Sequence, residues 1–291
     1  MNPPGNILFV EIAAFLLFVL GFLESRKKGA TRAAEFVMIF FYGLLLEELD
    51  MQIFKSYHYH PDFLFVIGHV PVCIAWLWAV ILASSMAISD RLGLPEILRP
   101  FLDALLAVWI DLSIDATAIR IGYWHWAIPL NQGWFGVPAG NLYAWMWVAF
   151  FYSAFARIVR RLLKKDSKWM WAYAALPLAA YAGLWFALVS IGWAGKSLGF
   201  ASQKERLVIF AVQFMIFIFV AGQGWIRREV AGGAFPPIWW WSRLAIHFYF
   251  ILAFFLFGIF KSLPILGVLS FFILAGEFAI HSLFRDNTLR H

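Results

Sequence analysis

DLSIDATAIRIGYWHWAIPLNQGWFGVPAGNLYAW, running from Asp111 to Trp145, decides how the rest of the chain is read. Two acids four residues apart, Asp111 and Asp115, sit in an otherwise apolar helical run that ends at Arg120. From Ile121 to Ala156, thirty-six consecutive residues carry no Asp, Glu, Lys or Arg. A water-facing loop of that length would carry charge. The stretch therefore reads as a pocket wall at membrane depth, joined directly to carboxyls inside the membrane.

The composition around it agrees. The chain is 63% hydrophobic, 20% aromatic and 14% charged over 291 residues, which excludes a soluble globule. A membrane helix needs about 20 apolar residues, and nine segments qualify, near 5–24, 35–55, 64–88, 100–120, 139–162, 169–194, 206–226, 243–260 and 263–283. The first lacks a basic leader and a small-residue cleavage site, so it is expected to be a membrane helix rather than a signal peptide. With the N-terminus outside, 17 of the 23 Lys and Arg fall in inside loops, Arg285 and Arg290 among them. The positive-inside rule then places the C-terminus in the cytoplasm. The expected architecture is an all-α polytopic transmembrane bundle of about nine helices, one integral membrane domain over residues 1–291. A bacterial or archaeal cell membrane is the expected location. The net charge of +6 faces anionic lipid and gives no reason to expect nucleic acid. The block Arg157–Lys168 reads as a flanking anchor. The single cysteine, Cys73, lies in an apolar helix and cannot form an internal disulfide.

Ionisable residues inside a membrane are costly and point to function. Helix 2 ends in Glu47, Glu48 and Asp50; helix 4 carries Asp111 and Asp115. At about 1.5 Å rise per residue, Glu47 lies about 18 Å and Asp50 about 22 Å above the inner boundary, and Asp111 and Asp115 about 16 and 22 Å. The two groups match in depth. Water access at a helix end explains Asp50 well and Glu48 fairly well, but not Asp111. Asp103, Glu11, Glu24 and Glu35 read as interfacial, and Glu277 with His281 as a structural pair. Burial and a neighbouring carboxylate both favour the protonated form of a carboxyl. One acid of such a set can then act as a general acid, while the others and nearby aromatic faces stabilise a carbocation.

The aromatic segment supplies such faces: Tyr123, Trp124, Trp126, Trp134, Phe135, Tyr143, Trp145 and Trp147. An interfacial aromatic belt accounts for part of this. It does not account for Gly122, Gly133, Gly136, Pro138 and Gly140, which break helix. Non-helical backbone at that depth survives only when buried or lining a cavity. The expectation is a re-entrant or interfacial loop roofing the acids, with Asn131, Gln132 and Asn141 able to hold a water.

The pattern Asp111-x3-Asp115, Gly122-x-Trp124-x-Trp126, Trp134-Phe135-Gly136-Val137-Pro138-x2-Asn141, Trp145 resembles the carotenoid biosynthesis membrane proteins, which include carotenoid hydratases acting on gamma-carotene or bacterioruberin precursors. Tyr57-x-Tyr59, Gly68-x-Val70-Pro71 and Trp76-x-Trp78 echo it upstream, so the resemblance covers about residues 40–150, and residues 35–150 form the candidate active-site half. This chain has Asp115-Ala116 where the family usually has Asp-Pro, Ala144 where it has Gly, and none of the glycines expected before Tyr57. The resemblance implies hydration of a terminal isopropylidene double bond of a carotenoid or polyprenoid, a redox-neutral lyase reaction needing no cofactor and no metal. Asp115 or Asp111 would donate the proton, with Glu47 or Glu48 holding charge or activating water. Trp124, Trp126 and Trp134 would line the cation site, and Phe135, Asn141, Tyr57, Tyr59 and Trp145 complete the substrate surface.

Other readings share these residues. A cyclase or isomerase would use the same protonation. An intramembrane prenyltransferase would need magnesium and cations for a diphosphate, and the acids have no nearby Lys or Arg in sequence. A di-iron enzyme needs histidine boxes that seven scattered His do not form, although His58, His60 and His69 could join Glu48 at a metal. A proton-coupled carrier of a lipophilic molecule also suits paired acids, but such carriers often have two related halves, and none are visible.

Overall fold

The computed structural model describes residues 4–228 and 235–285. Within them the chain forms α1 (Pro4–Lys27), α2 (Ala30–Ile53), α3 (Val72–Leu92), α4 (Arg99–Ile121), α5 (Ala139–Lys165), α6 (Ala172–Ser197), α7 (Gln203–Ile226), α8 (Pro237–Leu256) and α9 (Pro264–Arg285). Arg290, and the side chain of Arg285, which the loop-charge count used, lie outside the described residues. Four short strands interrupt the helices: β1 (Tyr57–Tyr59), β2 (Val66–Ile67), β3 (Val70–Pro71) and β4 (Trp124–Trp126). The protein is an all-α polytopic membrane bundle. Seven of the helices are long and apolar enough to cross a membrane by length and composition. The other two are α2 and α4, the acid-bearing helices.

Helix ends follow local chemistry. α3 and α4 stop at Gly93 and Gly122, both left-handed. α5 and α8 each begin after a proline, Pro138 and Pro236, and Ser202 with Glu205 forms a capping box at α7. α3 and α4 are the central helices: α3 packs on α1, α2, α4 and α8, and α4 on α3, α5, α7, α8 and α9.

Two helix starts differ most from the sequence reading. The third helix starts at Val72, not at residue 64. Residues 66–71 instead make a small β2–β3 hairpin, and the Glu11 carboxylate takes the backbone N–H groups of Leu64 and Phe65 at 2.9 and 3.0 Å. The eighth helix runs 237–256 rather than 243–260, which moves Arg243 from a loop into the bundle.

Burial changes the reading of several charges. Glu11, Glu35 and Asp103, expected at the interface, are buried within the bundle. At the end of the bundle formed by the N-termini of α2 and α4 and the C-termini of α3 and α5, Arg157 bonds Asp103 at 2.8 Å and pairs with Asp90. Arg160 bridges Asp90 at 3.0 Å and Glu35 at 2.6 Å. Arg157 and Arg160 are therefore internal clamps rather than flanking anchors. Glu277 pairs with buried Arg243 of α8 at 2.8 Å, while His281 stacks on Trp240. Glu277 of α9 thus has an interhelical partner in α8.

Candidate active site

β1 and β4 explain how the far end of the bundle is built. They pair antiparallel, Tyr57 opposite Trp126, His58 opposite His125 and Tyr59 opposite Trp124. Alternation along a strand sends odd and even positions to opposite faces. Tyr57, Tyr59, Trp124 and Trp126 all turn their polar tips inward onto carboxylates. His58 and His125 stack on the exposed side with ring centroids 5.3 Å apart. Partial burial and the neighbouring His58 and His60 hold His125 below the usual imidazole range.

Two carboxylate groups lie beneath this ribbon. Glu47 of α2 takes the hydroxyls of Tyr57 and Tyr59 (the latter at 2.7 Å) on Oε2, and the Trp78 indole N–H on Oε1 at 2.7 Å. Asp115 of α4 takes the indole N–H of Trp124 at 2.7 Å and of Trp126 at 3.2 Å, both on Oδ1. The Asn141 amide N–H group donates to Asp115 Oδ2 at 2.7 Å and to Asp111 Oδ2 at 3.0 Å. Oδ1 of Asp111 takes no hydrogen bond among the described residues. All three acids are buried, and none has a Lys, Arg or His partner among those residues.

The loop after β4 sets Asn141. Trp134 and Val137 exchange two backbone hydrogen bonds at 2.8 and 3.0 Å across Phe135 and Gly136, both with positive φ, 52° and 90°. Left-handed geometry at both central positions is that of a tight hairpin turn. Gly133 is left-handed too, and a Cβ there would meet the Val137 carbonyl oxygen at 2.1 Å. Pro138 then starts α5 and places Asn141 in its first turn. The Trp-Phe-Gly-Val-Pro run is thus a turn that aims an asparagine.

The acids face an apolar cavity of about 870 Å³, near the upper end of the range usual for small-molecule sites. Glu47, Asp50, Asp111, Asp115, Tyr57, Tyr59, Trp124, Trp126, Asn141 and Trp145 line it. Its apolar wall includes Leu46, Ile74, Leu77, Ile81 and Ile114, and exposed Phe9, Leu16, Phe248 and Leu252 rim it between α1 and α8, Phe54 and Trp185 between α2 and α6. Three expected members lie elsewhere. Glu48 points away, to the ring and backbone N–H of His69. Trp134 donates to the Leu112 carbonyl at 2.8 Å, and the Phe135 carbonyl accepts from Arg120 at 2.7 Å. Both hold the loop rather than the cavity. Asn131 and Gln132 are exposed. Trp78, Tyr123, Tyr249 and Asn6 also belong to the site region; the sequence named Trp78 only in the Trp76-x-Trp78 echo and Tyr123 only in the aromatic segment, and gave no signal for Tyr249 or Asn6. Among the described residues no group of three or more His, Cys, Asp or Glu is placed to hold a metal.

Residues 5–202 match the family model described as carotenoid biosynthesis protein. No curated protein and no solved structure matches the chain.

Proposed function

The chain belongs to the carotenoid biosynthesis protein family, and from that premise we propose that it hydrates a terminal isopropylidene double bond of a carotenoid or related polyprenoid without a cofactor. The observation that carries this reading is the hydrogen-bond count on the three buried acids. Asp115 and Glu47 each accept three neutral donors, and Asp111 accepts one. A carboxylate uses its lone pairs to accept, whereas a carboxylic acid must keep one oxygen for its proton. Asp111, with Oδ1 unengaged, is the acid that carries a proton; Asp115 and Glu47 are held as anions.

The reaction follows from that division. The π electrons of the double bond take the Asp111 proton, forming a C–H bond at the less substituted carbon and leaving a tertiary cation. Asp115 and Glu47 stabilise the cation, with the Trp124, Trp126 and Tyr57 rings around it. A water oxygen forms the C–O bond, and its proton returns to the Asp111 carboxylate. No electrons are gained or lost, and the acid is regenerated. A long lipophilic substrate suits apolar walls and rims open toward lipid. The same apolar walls favour a second reading, in which an internal double bond captures the cation and the product is a cyclic isomer.

Expression in a host that accumulates lycopene or gamma-carotene, with pigment mass spectrometry, separates these. A product heavier by one water, lost in Asp111→Asn, supports hydration. An isomer of unchanged mass supports cyclisation, and an unchanged pigment pool in both hosts removes the enzymatic reading in favour of a carrier.

A further inference from the structure

Where α5, α6 and α7 meet, the cavity wall carries Tyr143, Gln203 and Arg206. Among the described residues Arg206 is the one Lys or Arg that lines the cavity. Its charge acts on the Tyr143 hydroxyl, and it shares a face of α7 with Gln203, three residues before it. The three side chains have unspent donors in common. Gln203 Oε1 accepts the Ala139 backbone N–H at 3.0 Å. A backbone N–H only donates, so the amide oxygen must face it and the amide NH2 is left over. Neither the Tyr143 hydroxyl nor the Arg206 guanidinium has a hydrogen-bond or ion-pair partner among the described residues. Glu205, next to Arg206, spends its carboxylate on the N–H groups of Ala201 and Ser202 at the start of its own helix. Room lies beside these donors: Gly192 of α6 lines the same cavity, and a Cβ there would meet nothing within 4 Å. The donors are also tied to the acids. Ala139, held by Gln203, and Asn141, which donates to Asp111 and Asp115 at 3.0 and 2.7 Å, share the first turn of α5.

We propose that Tyr143, Gln203 and Arg206 form an oxyanion subsite that takes a carboxylate on the isoprenoid substrate. That the ligand is the substrate rests on the hydration reading above. Donors with a positive charge and no acceptor of their own select an oxygen that only accepts, and a planar guanidinium matches a carboxylate. One guanidinium balances one negative charge, so the wall does not serve a diphosphate. A lone surface arginine would be an ordinary interface residue with its head in water. Two neutral donors and an open space on the same cavity wall set this one apart. The two polar walls also fix orientation. Glu47, Asp50, Asp111 and Asp115 line the cavity as well, and a carboxylate placed against them meets like charge, so the substrate binds with its double bond at the acids and its carboxylate at Arg206. The apolar rim of Phe9, Leu16, Phe248 and Leu252 then admits the hydrocarbon from lipid. Gln203 and Arg206 lie beyond residues 5–202, the part of the chain that matches the family.

The test measures binding to the purified full chain by tryptophan fluorescence, at mildly alkaline pH. The probes are farnesoic acid and the hydrocarbon with a methyl group in place of its carboxylate; both keep the terminal isopropylidene group. Wild type is expected to bind the acid about tenfold more tightly than the hydrocarbon, the gain of one charge-assisted hydrogen bond. Arg206→Gln should abolish that preference with hydrocarbon binding unchanged, and Arg206→Lys should keep most of it. Gly192→Phe, which fills the space and leaves every donor in place, should also remove the acid's advantage. Equal affinities in wild type overturn the subsite, as does a preference that survives Arg206→Gln. A phospholipid retained by wild type in native mass spectrometry, lost from Arg206→Gln and displacing the acid, overturns it in favour of a lipid headgroup phosphate. Preference for the acid with no hydrated product from either probe supports the subsite and removes the hydration reading.

Discussion

The bundle buries carboxylates at both ends and treats them in opposite ways. At one end Glu35, Asp90 and Asp103 meet Arg157 and Arg160, with Arg32 and Arg99 at the edge. At the other, Glu47, Asp111 and Asp115 meet, among the described residues, only phenols, indoles and an amide. Glu35 and Glu47 share α2, and Asp103 and Asp115 share α4, each pair about 18 Å apart along its helix. A guanidinium neutralises a carboxylate and fixes it as an ion. Neutral donors hold it in place without cancelling its charge, so it can still answer a cation or carry a proton. Identical residue types on the same helices are therefore fixed as ion pairs at one end and, in the proposed function, left for chemistry at the other.

The largest expected effect tests the chemical end. Asp111→Asn should lower turnover by about 10²–10⁴-fold, the usual contribution of a general acid, while the melting temperature of the purified protein changes little. Loss of fold instead would make Asp111 a structural acid like Asp103. At the ionic end, Asp103→Leu should destabilise the protein by about 3–5 kcal/mol, because Arg157 loses its buried partner. Adding Arg157→Met should recover most of that stability, with activity per folded molecule unchanged throughout. A turnover defect in the double variant would erase the distinction between the two ends.

Smaller effects sharpen the comparison. Gly133→Ala should cost at least about 1–2 kcal/mol from left-handed backbone alone, and the displaced turn should reduce turnover by misplacing Asn141; an unaltered rate would detach the turn from the site. On the roof, His125 titrates below its unfolded value. The folded state then binds fewer protons, so its stabilising contribution is present at neutral pH and is lost as the pH falls through the ordinary histidine range. Melting measured between neutral and mildly acidic pH should drop less in His125→Gln than in wild type. Glu48→Gln should be nearly silent in turnover, since Glu48 bonds His69 on the exposed side; a strong defect would return Glu48 to the site.

Much of this was legible in the sequence. Mostly apolar runs of helical length, separated by glycine, proline and charge, marked the nine helices among the described residues, two of them, α2 and α4, bearing acids, because lipid tolerates no unpaired backbone. Spacing alone put Asp111 and Asp115 on one face and matched them in depth to Glu47. Tyr57-x-Tyr59 and Trp124-x-Trp126 stood out in the sequence as motifs, but that they form strands, share a face and pair was shown only by the structure. Which carboxylates become ions and which stay unpaired was decided only by tertiary structure. Arg157 sits 54 residues from Asp103, and Asn141 sits 30 residues from Asp111. A hydrogen bond or ion pair acts over about 3 Å, and sequence carries no information on that scale between distant helices until they pack. For the same reason Glu47 and Glu48, adjacent in the chain, part company: the rotation of about 100° per helical residue sends the first into the cavity and the second out to His69.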